Sequence, residues 1–176
     1  HSLQKYLFYA EMEVILSDAE KITKARHSRF RITEGDIKTA ISAIPESVER
    51  EKDIQIEAVQ ALVCISDNYF HKLVEELVEN AIKFSPAGSP IYLIGESLRE
   101  NGLYRLQVLD HGKGMTPEQV AGISAFIPKD RKLYYSQRSG LGLEIVSKIL
   151  DIYQGSLSIQ SEPGSYTKVE VFLRLG

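Results

Sequence analysis

The chain has a single cysteine, Cys64, in 176 residues. A disulfide framework is excluded, and so is a metal site built on several thiolates. Cys64 lies in the apolar run Ala61 to Ile65 and is expected to be a buried core thiol. No apolar run approaches the roughly 20 residues that a membrane-spanning helix needs, and no signal-peptide pattern opens the chain. A cytoplasmic location is the expectation that follows. There is no basic excess either. The chain has 21 Lys and Arg against 24 Asp and Glu, a net charge of −3, which argues against nucleic acid as the main ligand. Internal repeats and low-complexity tracts are absent. So are two nucleotide signatures: no G-x-G-x-x-G follows a strand, and no G-x-x-x-x-G-K-[ST] occurs.

What is present is a hydrophobic fraction of 43% and a charged fraction of 26%, the composition of a soluble globular chain. The length suits one domain with a substantial core and a small appendage. The chain opens on His1 and Ser2 rather than methionine, and is expected to be a piece of a longer protein.

Residues 2–28 contain no Gly or Pro and read as one continuous helix. Phe8, Met12, Ile15, Ala19 and Ile22 form a heptad seam, with Leu3, Leu7 and Val14 as a second apolar line. So wide an apolar arc wants partners on more than one side, and an oligomer or a helical hairpin is expected. Residues 29–34 predict a short strand. Asp36 is expected to cap a helix carrying Ile37, Ala40, Ile41, Ile44 and Val48, with Pro45 interrupting it. Residues 53–66 predict two short strands. Ser66 and Asp67 offer caps for a helix running to about Phe84. "IYLIGESL" and "LYRLQVLD" predict a hairpin about Asn101-Gly102. Residues 112–139 read as irregular. A glycine-opened helix follows, closed by Gly155, and then a last hairpin about Glu162, Pro163 and Gly164. The pattern predicts an α+β fold: a two-layer α/β sandwich with a mixed, largely antiparallel sheet and helices on one face.

Three short stretches carry candidate chemistry. On the helix ending at Phe84, Glu76, Asn80 and Lys83 form one polar row at the edge of the apolar face, within an arc of roughly 60°. An amide oxygen suits Mg²⁺, an ammonium suits a phosphate, and a carboxylate can act as a base. On this helix alone a solvated stripe is the better account. "VLDHGKGM" puts Asp110 at a strand end, with Gly112 and Gly114 directly after it. A carboxylate there can accept a hydrogen bond from a base amino group, and glycines let backbone approach a flat ring. An ordinary Asp-Gly turn is the alternative. "RSGLGLEIV" puts Gly140 and Gly142 at the mouth of a helix, where bare N–H groups form an anion site. Between the last two stretches, Lys129, Arg131, Lys132 and Arg138 face only Asp130 over residues 129–138. That bias suggests a flap attracted to an anion.

Together, "EELVENAIKFS", "DHGKGM" and "SGLGL" resemble the N-box and the two glycine boxes of the ATP-binding domain shared by sensor histidine kinases, gyrase B, Hsp90 and MutL. The order matches, and "SEPGSYTKVEVFL" resembles the closing hairpin of the kinases. The resemblance covers roughly residues 30–176. It implies a Bergerat-type site for ATP and Mg²⁺. In it Asn80 would ligate the metal, Lys83 would approach the phosphates, and Asp110 would take the adenine amino group. Gly112, Gly114, Phe84 and Met115 would border the base. Arg138, Ser139, Gly140, Leu141 and Gly142 would hold the triphosphate. Thr167 matches a position near the adenine-binding Asp, and Phe126 matches the aromatic of the lid. Three positions depart from the kinase pattern. Glu76 stands where most of these kinases carry Asn, His111 replaces an Asn, and Arg138 replaces a Gly.

Residues 1–28 resemble the second helix of the kinase dimerisation hairpin, and residues 29–176 the catalytic domain. The implied partners are a second copy of the chain through residues 2–28 with a missing helix, a phospho-accepting histidine on that helix, and a response-regulator receiver domain. Without that helix, self-phosphorylation is not expected. Two other readings stay open: a serine kinase or ATPase with Glu76 as general base, or a degenerate binding module.

Overall fold

The computed structural model describes residues 2–124 and 141–176. The segment 2–28 is two helices, α1 (Ser2–Leu16) and α2 (Ala19–Arg26), not one. The break has a local cause. Asp18 adopts an extended backbone, and its carboxylate accepts from the N–H groups of Glu20 and Lys21, restarting the helix as an N-cap. The predicted seam does not face outward. Met12 is fully buried, and Phe8 and Ile15 pack against the core of the rest of the chain. Leu3, Leu7 and Val14 are left on the open side at 71%, 62% and 53% exposure.

Strand β1 (Phe30–Ile32) leads into α3 (Glu34–Ser42). Here Thr33, not Asp36, is the cap. Its hydroxyl accepts from the Asp36 N–H, and the Asp36 carboxylate reaches back to the Thr33 N–H at 2.8 Å. This is a capping box, with Asp where Glu or Gln is usual. Helix α3 stops at Ser42, so Ile44 and Val48 fall beyond it; a short 3₁₀ turn opened by Pro45 follows, and Val48 is exposed rather than on the apolar face. Strands β2 (Ile54–Ala58) and β3 (Ala61–Val63) come next, then the long helix α4 (Asp67–Phe84). Strands β4 (Ile91–Leu98) and β5 (Leu103–Asp110) are joined by a four-residue loop, in which Gly102 takes the left-handed conformation (φ 66°). A helix not foreseen, α5 (Pro117–Ser124), interrupts the stretch read as irregular. Helix α6 (Leu141–Tyr153) and the hairpin of β6 (Ser156–Glu162) and β7 (Tyr166–Arg174) complete the chain.

The main sheet has the order β2-β4-β5-β7-β6; only the β2–β4 pair is parallel. β1 and β3 form a separate antiparallel ribbon. Cys64, just past β3, is half-buried rather than fully buried, and its thiol donates to the Leu175 carbonyl. Helices α4 and α6 cover one face of the sheet, as a two-layer α+β sandwich requires. Phe70, Leu73, Val74 and Val78 of α4 and Ile145, Val146 and Ile149 of α6 meet Leu93, Tyr104, Leu106, Val171 and Leu173 of the strands. α1 adds a further helix to that layer by packing on α6.

The Thr33 capping box yields a stability prediction. Thr33→Ala removes the hydroxyl acceptor and should cost about 1 kcal/mol of unfolding free energy, read by chemical denaturation. An unchanged midpoint would contradict the cap.

Candidate functional site

α4 delivers the polar row, and the structure separates its members. Asn80 is half-buried and lines a cavity of about 390 Å³. Glu76, one turn earlier, is only 1% exposed. Lys83, one turn later, is exposed, with its ammonium 5.3 Å from the Phe84 ring.

Lysines pair with both oxygens of the buried Glu76 carboxyl. Lys5 of α1 donates to Oε2 at 2.7 Å, and Lys72 pairs with Oε1 at 2.8 Å. Lys5 also bonds Glu79 at 2.7 Å, and Lys72 bonds Glu75 at 3.1 Å. Burial works against the charge on Lys72, but Glu76 and Glu75 outweigh it and raise its pKa. A buried carboxylate paired on both oxygens is a structural ion cluster, and removing either partner would leave an uncompensated charge.

β5 delivers Asp110 to the opposite part of the cavity, 5% exposed. Burial pushes its carboxyl from 3.8 up to about 6, against the Gly112 N–H bond at 2.9 Å and the nearby His111 and Arg50 charges. Asp110 therefore remains mostly ionised at neutral pH, as a desolvated acceptor. Thr167 sits directly opposite on β7 and also lines the cavity.

The glycines serve close approach. A β-carbon on Gly112 would lie 2.1 Å from the Phe84 carbonyl oxygen, so this residue must be Gly for the strand end to meet the end of α4. The Lys113 N–H donates to that same carbonyl at 3.1 Å. Gly112 is thus turned to α4, and Gly114 and Met115 line the cavity. A β-carbon on Gly142, at the mouth of α6, would lie 2.6 Å from Glu76 Oε2 and 3.6 Å from Asn80 Nδ2. The second glycine box therefore packs on the polar row. Leu141 opens α6, while Phe126, Arg138, Ser139 and Gly140 lie outside the described residues, as do Lys129, Arg131 and Lys132.

Buried Arg50 braces the loop after α4. It bonds the carbonyls of Ile82, Ser85 and Ser89 and the Ser85 hydroxyl, and pairs with Asp53. Phe84 lies inside this braced segment and lines the cavity, with Lys113 stacked 4.5 Å from its ring.

Other lining residues were not singled out from sequence as site residues: Leu77, Ala81, Val108, Val169, Leu143, Lys113 and four from α5, Glu118, Gln119, Gly122 and Ile123. Val108 and Val169 could have been found, since each lies two residues from a chosen strand position and shares its face. The α5 signal was also legible. "TPEQ" is a capping box with Pro at the first helical position: the Thr116 hydroxyl accepts from the Gln119 N–H at 3.3 Å, and the Gln119 side-chain oxygen accepts from the Thr116 N–H at 2.9 Å.

With this geometry, comparison with known proteins becomes specific. Residues 65–176 match the family described as "Histidine kinase-, DNA gyrase B-, and HSP90-like ATPase". The chain belongs to this ATPase family. The match holds α4, both glycine segments and the last hairpin. Relatives include the sensor protein kinase PmrB of Pseudomonas aeruginosa, 29% identical over 70% of this chain and 26% of that protein. The circadian input-output histidine kinase CikA of Synechocystis sp. is 27% identical over 71% of this chain and 17% of that protein. The chain thus spans less than a third of the length of either curated relative. Among solved structures, the Acinetobacter baumannii histidine kinase AdeS superposes with a TM-score of 0.69 over 99% of this chain and 77% of that one, at 15% identity. That likeness is one of fold.

Asp110 yields a pH prediction. Its folded pKa lies above its unfolded value, so the native ATPase domain holds an extra proton between pH 3.8 and about 6. Its contribution is fully present below that window and is lost as pH rises through it. Asp110→Asn should raise neutral-pH stability by on the order of 2 kcal/mol and flatten this pH dependence. Denaturant melts at pH 4 and pH 7 would check it, and parallel losses in parent and variant would contradict it.

Proposed function

We propose that this chain is the ATP-binding catalytic part of a two-component sensor histidine kinase. It passes the γ-phosphoryl of ATP to a histidine on a helix absent from this chain, and thence to an Asp of a response-regulator receiver domain. The observation that carries the reading is one cavity bordered by Asn80 at one part and by Asp110 and Thr167 at another, with Gly142 packed against Asn80. Asp110 accepts the adenine amino group; Phe84, Met115 and Gly114 border the base. The α6 mouth and Asn80 face the phosphates, and Lys83, exposed on the surface beside the Phe84 ring, approaches them.

Among the described residues, no cluster of three or more His, Cys, Asp or Glu could hold a metal by itself. A single amide oxygen at the cavity wall fits Mg²⁺, which takes few protein ligands and completes its shell with phosphate and water. When bound, that ion would offset phosphate charge during transfer. The chain's own contribution is to orient the nucleotide and to exclude water from the base; the attacking imidazole comes from elsewhere.

The hairpin assignment of residues 1–28 and the catalytic assignment of 29–176 belong to the same reading. Leu3, Leu7 and Val14 form an exposed apolar line spaced 4 and 7 on α1. That line supports pairing with the other hairpin helix and with a second copy. Among the described residues, no helix is long and apolar enough to cross a membrane; a cytoplasmic site of action accords with ATP as substrate. A serine kinase or ATPase using Glu76 as base is not favoured, because both Glu76 oxygens are held by lysines. A degenerate module fits poorly with an intact cavity.

Calorimetry with ATP and Mg²⁺ tests the reading. The parent should bind, and Asn80→Ala should abolish the magnesium-dependent gain in affinity. No binding at millimolar nucleotide would sink the proposal. With the histidine helix restored, acid-labile phosphate should appear on it.

A further inference from the structure

Ser161 lies at the end of β6, at the start of the closing hairpin segment and outside the N-box and both glycine boxes. Its hydroxyl makes three hydrogen bonds. It donates to the Tyr166 carbonyl at 2.7 Å, accepts from the Met115 N–H at 2.8 Å, and lies 3.0 Å from the Thr167 hydroxyl. A serine hydroxyl has one proton and two lone pairs. The Tyr166 carbonyl can only accept, so the serine proton is committed there. One lone pair is taken by the Met115 N–H. The remaining partner, Thr167, must therefore donate its own proton to the other lone pair. Ser161 is saturated, and Thr167 is left with lone pairs alone for anything else it meets.

That matters because of where Thr167 stands. It lines the cavity and is the β7 residue directly opposite Asp110. The carboxylate beside it is also an acceptor. The wall therefore offers acceptors from two side chains and a hydroxyl proton from neither. A purine with an exocyclic amine donates to such a wall; one with a carbonyl there meets lone pairs with lone pairs. Buried polar groups left unpaired in this way discriminate strongly between similar ligands.

We propose that Ser161 is a specificity-positioning residue that fixes the Thr167 hydroxyl as an acceptor and so selects an adenine over a guanine nucleotide. Ser161 touches no substrate in this account; it acts through Thr167. It also ties Met115, at the end of the first glycine segment, to the β6–β7 hairpin, so the two cavity borders are set by one hydroxyl. The inference rests on the nucleotide-site reading above and adds the origin of its base preference.

The test is calorimetric binding of ATP and GTP, each with Mg²⁺, to the parent chain, Ser161→Ala, Thr167→Val and the double variant, with thermal melts alongside. The parent should prefer ATP. Ser161→Ala frees the Thr167 proton to turn and donate, so the ATP-over-GTP preference should fall about tenfold, in part through tighter GTP binding. Thr167→Val removes the acceptor and should also cut the preference. In that background Ser161→Ala should change it no further, the coupling a double-mutant cycle reads. A merely structural serine would lower the melting temperature and leave the ratio unmoved, which overturns the proposal. An equal fall in the Thr167→Val background overturns it too. If Ser161→Ala does not fold, Thr167→Val decides alone, and an unaltered preference refutes the role. A parent that binds both nucleotides equally refutes the inference and leaves the nucleotide site standing; a parent that binds neither removes both.

Discussion

The site depends on how closely backbone can approach the C-terminal half of α4. Two glycines meet that half, at distances that leave no room for a β-carbon. Gly112 brings the end of β5 onto the Phe84 carbonyl, and Gly142 brings the mouth of α6 onto Glu76 and Asn80. The apolar face of α4 seats it on the sheet, and burial of that face supplies most of the holding energy. The glycines then decide what lies beside it. A strand end carrying a carboxylate and the mouth of α6 are both drawn against one helix, and the cavity lies beside them.

The two buried carboxylates show how differently the same group can be treated. Glu76 is paired with Lys5 on one oxygen and with Lys72 on the other. Among the described residues Asp110 accepts one backbone N–H bond, and this with the nearby His111 and Arg50 does not outweigh burial, which raises its pKa. A charge already satisfied has little left to offer a ligand. A charge left short of partners is stabilised by any donor that enters, which is the condition for recognition. The folded chain therefore gives up stability at Asp110 and keeps it at Glu76. Lys5 also makes α1 part of this balance, since the helix contributes a charge to α4 as well as apolar area.

Much of this was legible locally. The limits of α4, both glycine segments and the last hairpin follow from periodicity, caps and turn residues over short spans, and Asp110 from its place at a strand end, whereas Thr167 came only from the family resemblance. What failed was of two kinds. Some signals were present and passed over: Asp18 as a cap inside an otherwise unbroken helix, and the Thr116–Gln119 capping box that starts α5. Others have no local trace. The partnership of Lys5 with Glu76 spans 71 positions. The inward turn of the Met12 seam depends on α4 and α6 offering it a surface. The pairing of Asp110 with Thr167 needs strand order, and strand order is a property of the whole sheet.

The central claim is that an adenine nucleotide occupies the cavity between α4, β5 and β7. The most direct measurement is amide chemical-shift mapping by NMR on addition of ATP, followed by replacement of Mg²⁺ with paramagnetic Mn²⁺. The account predicts shifts concentrated at Asp110, Gly112, Gly114, Met115 and Thr167, with Mn²⁺ broadening centred on the Asn80 side-chain amide. Shifts elsewhere with these signals unmoved, or broadening remote from Asn80, would contradict it.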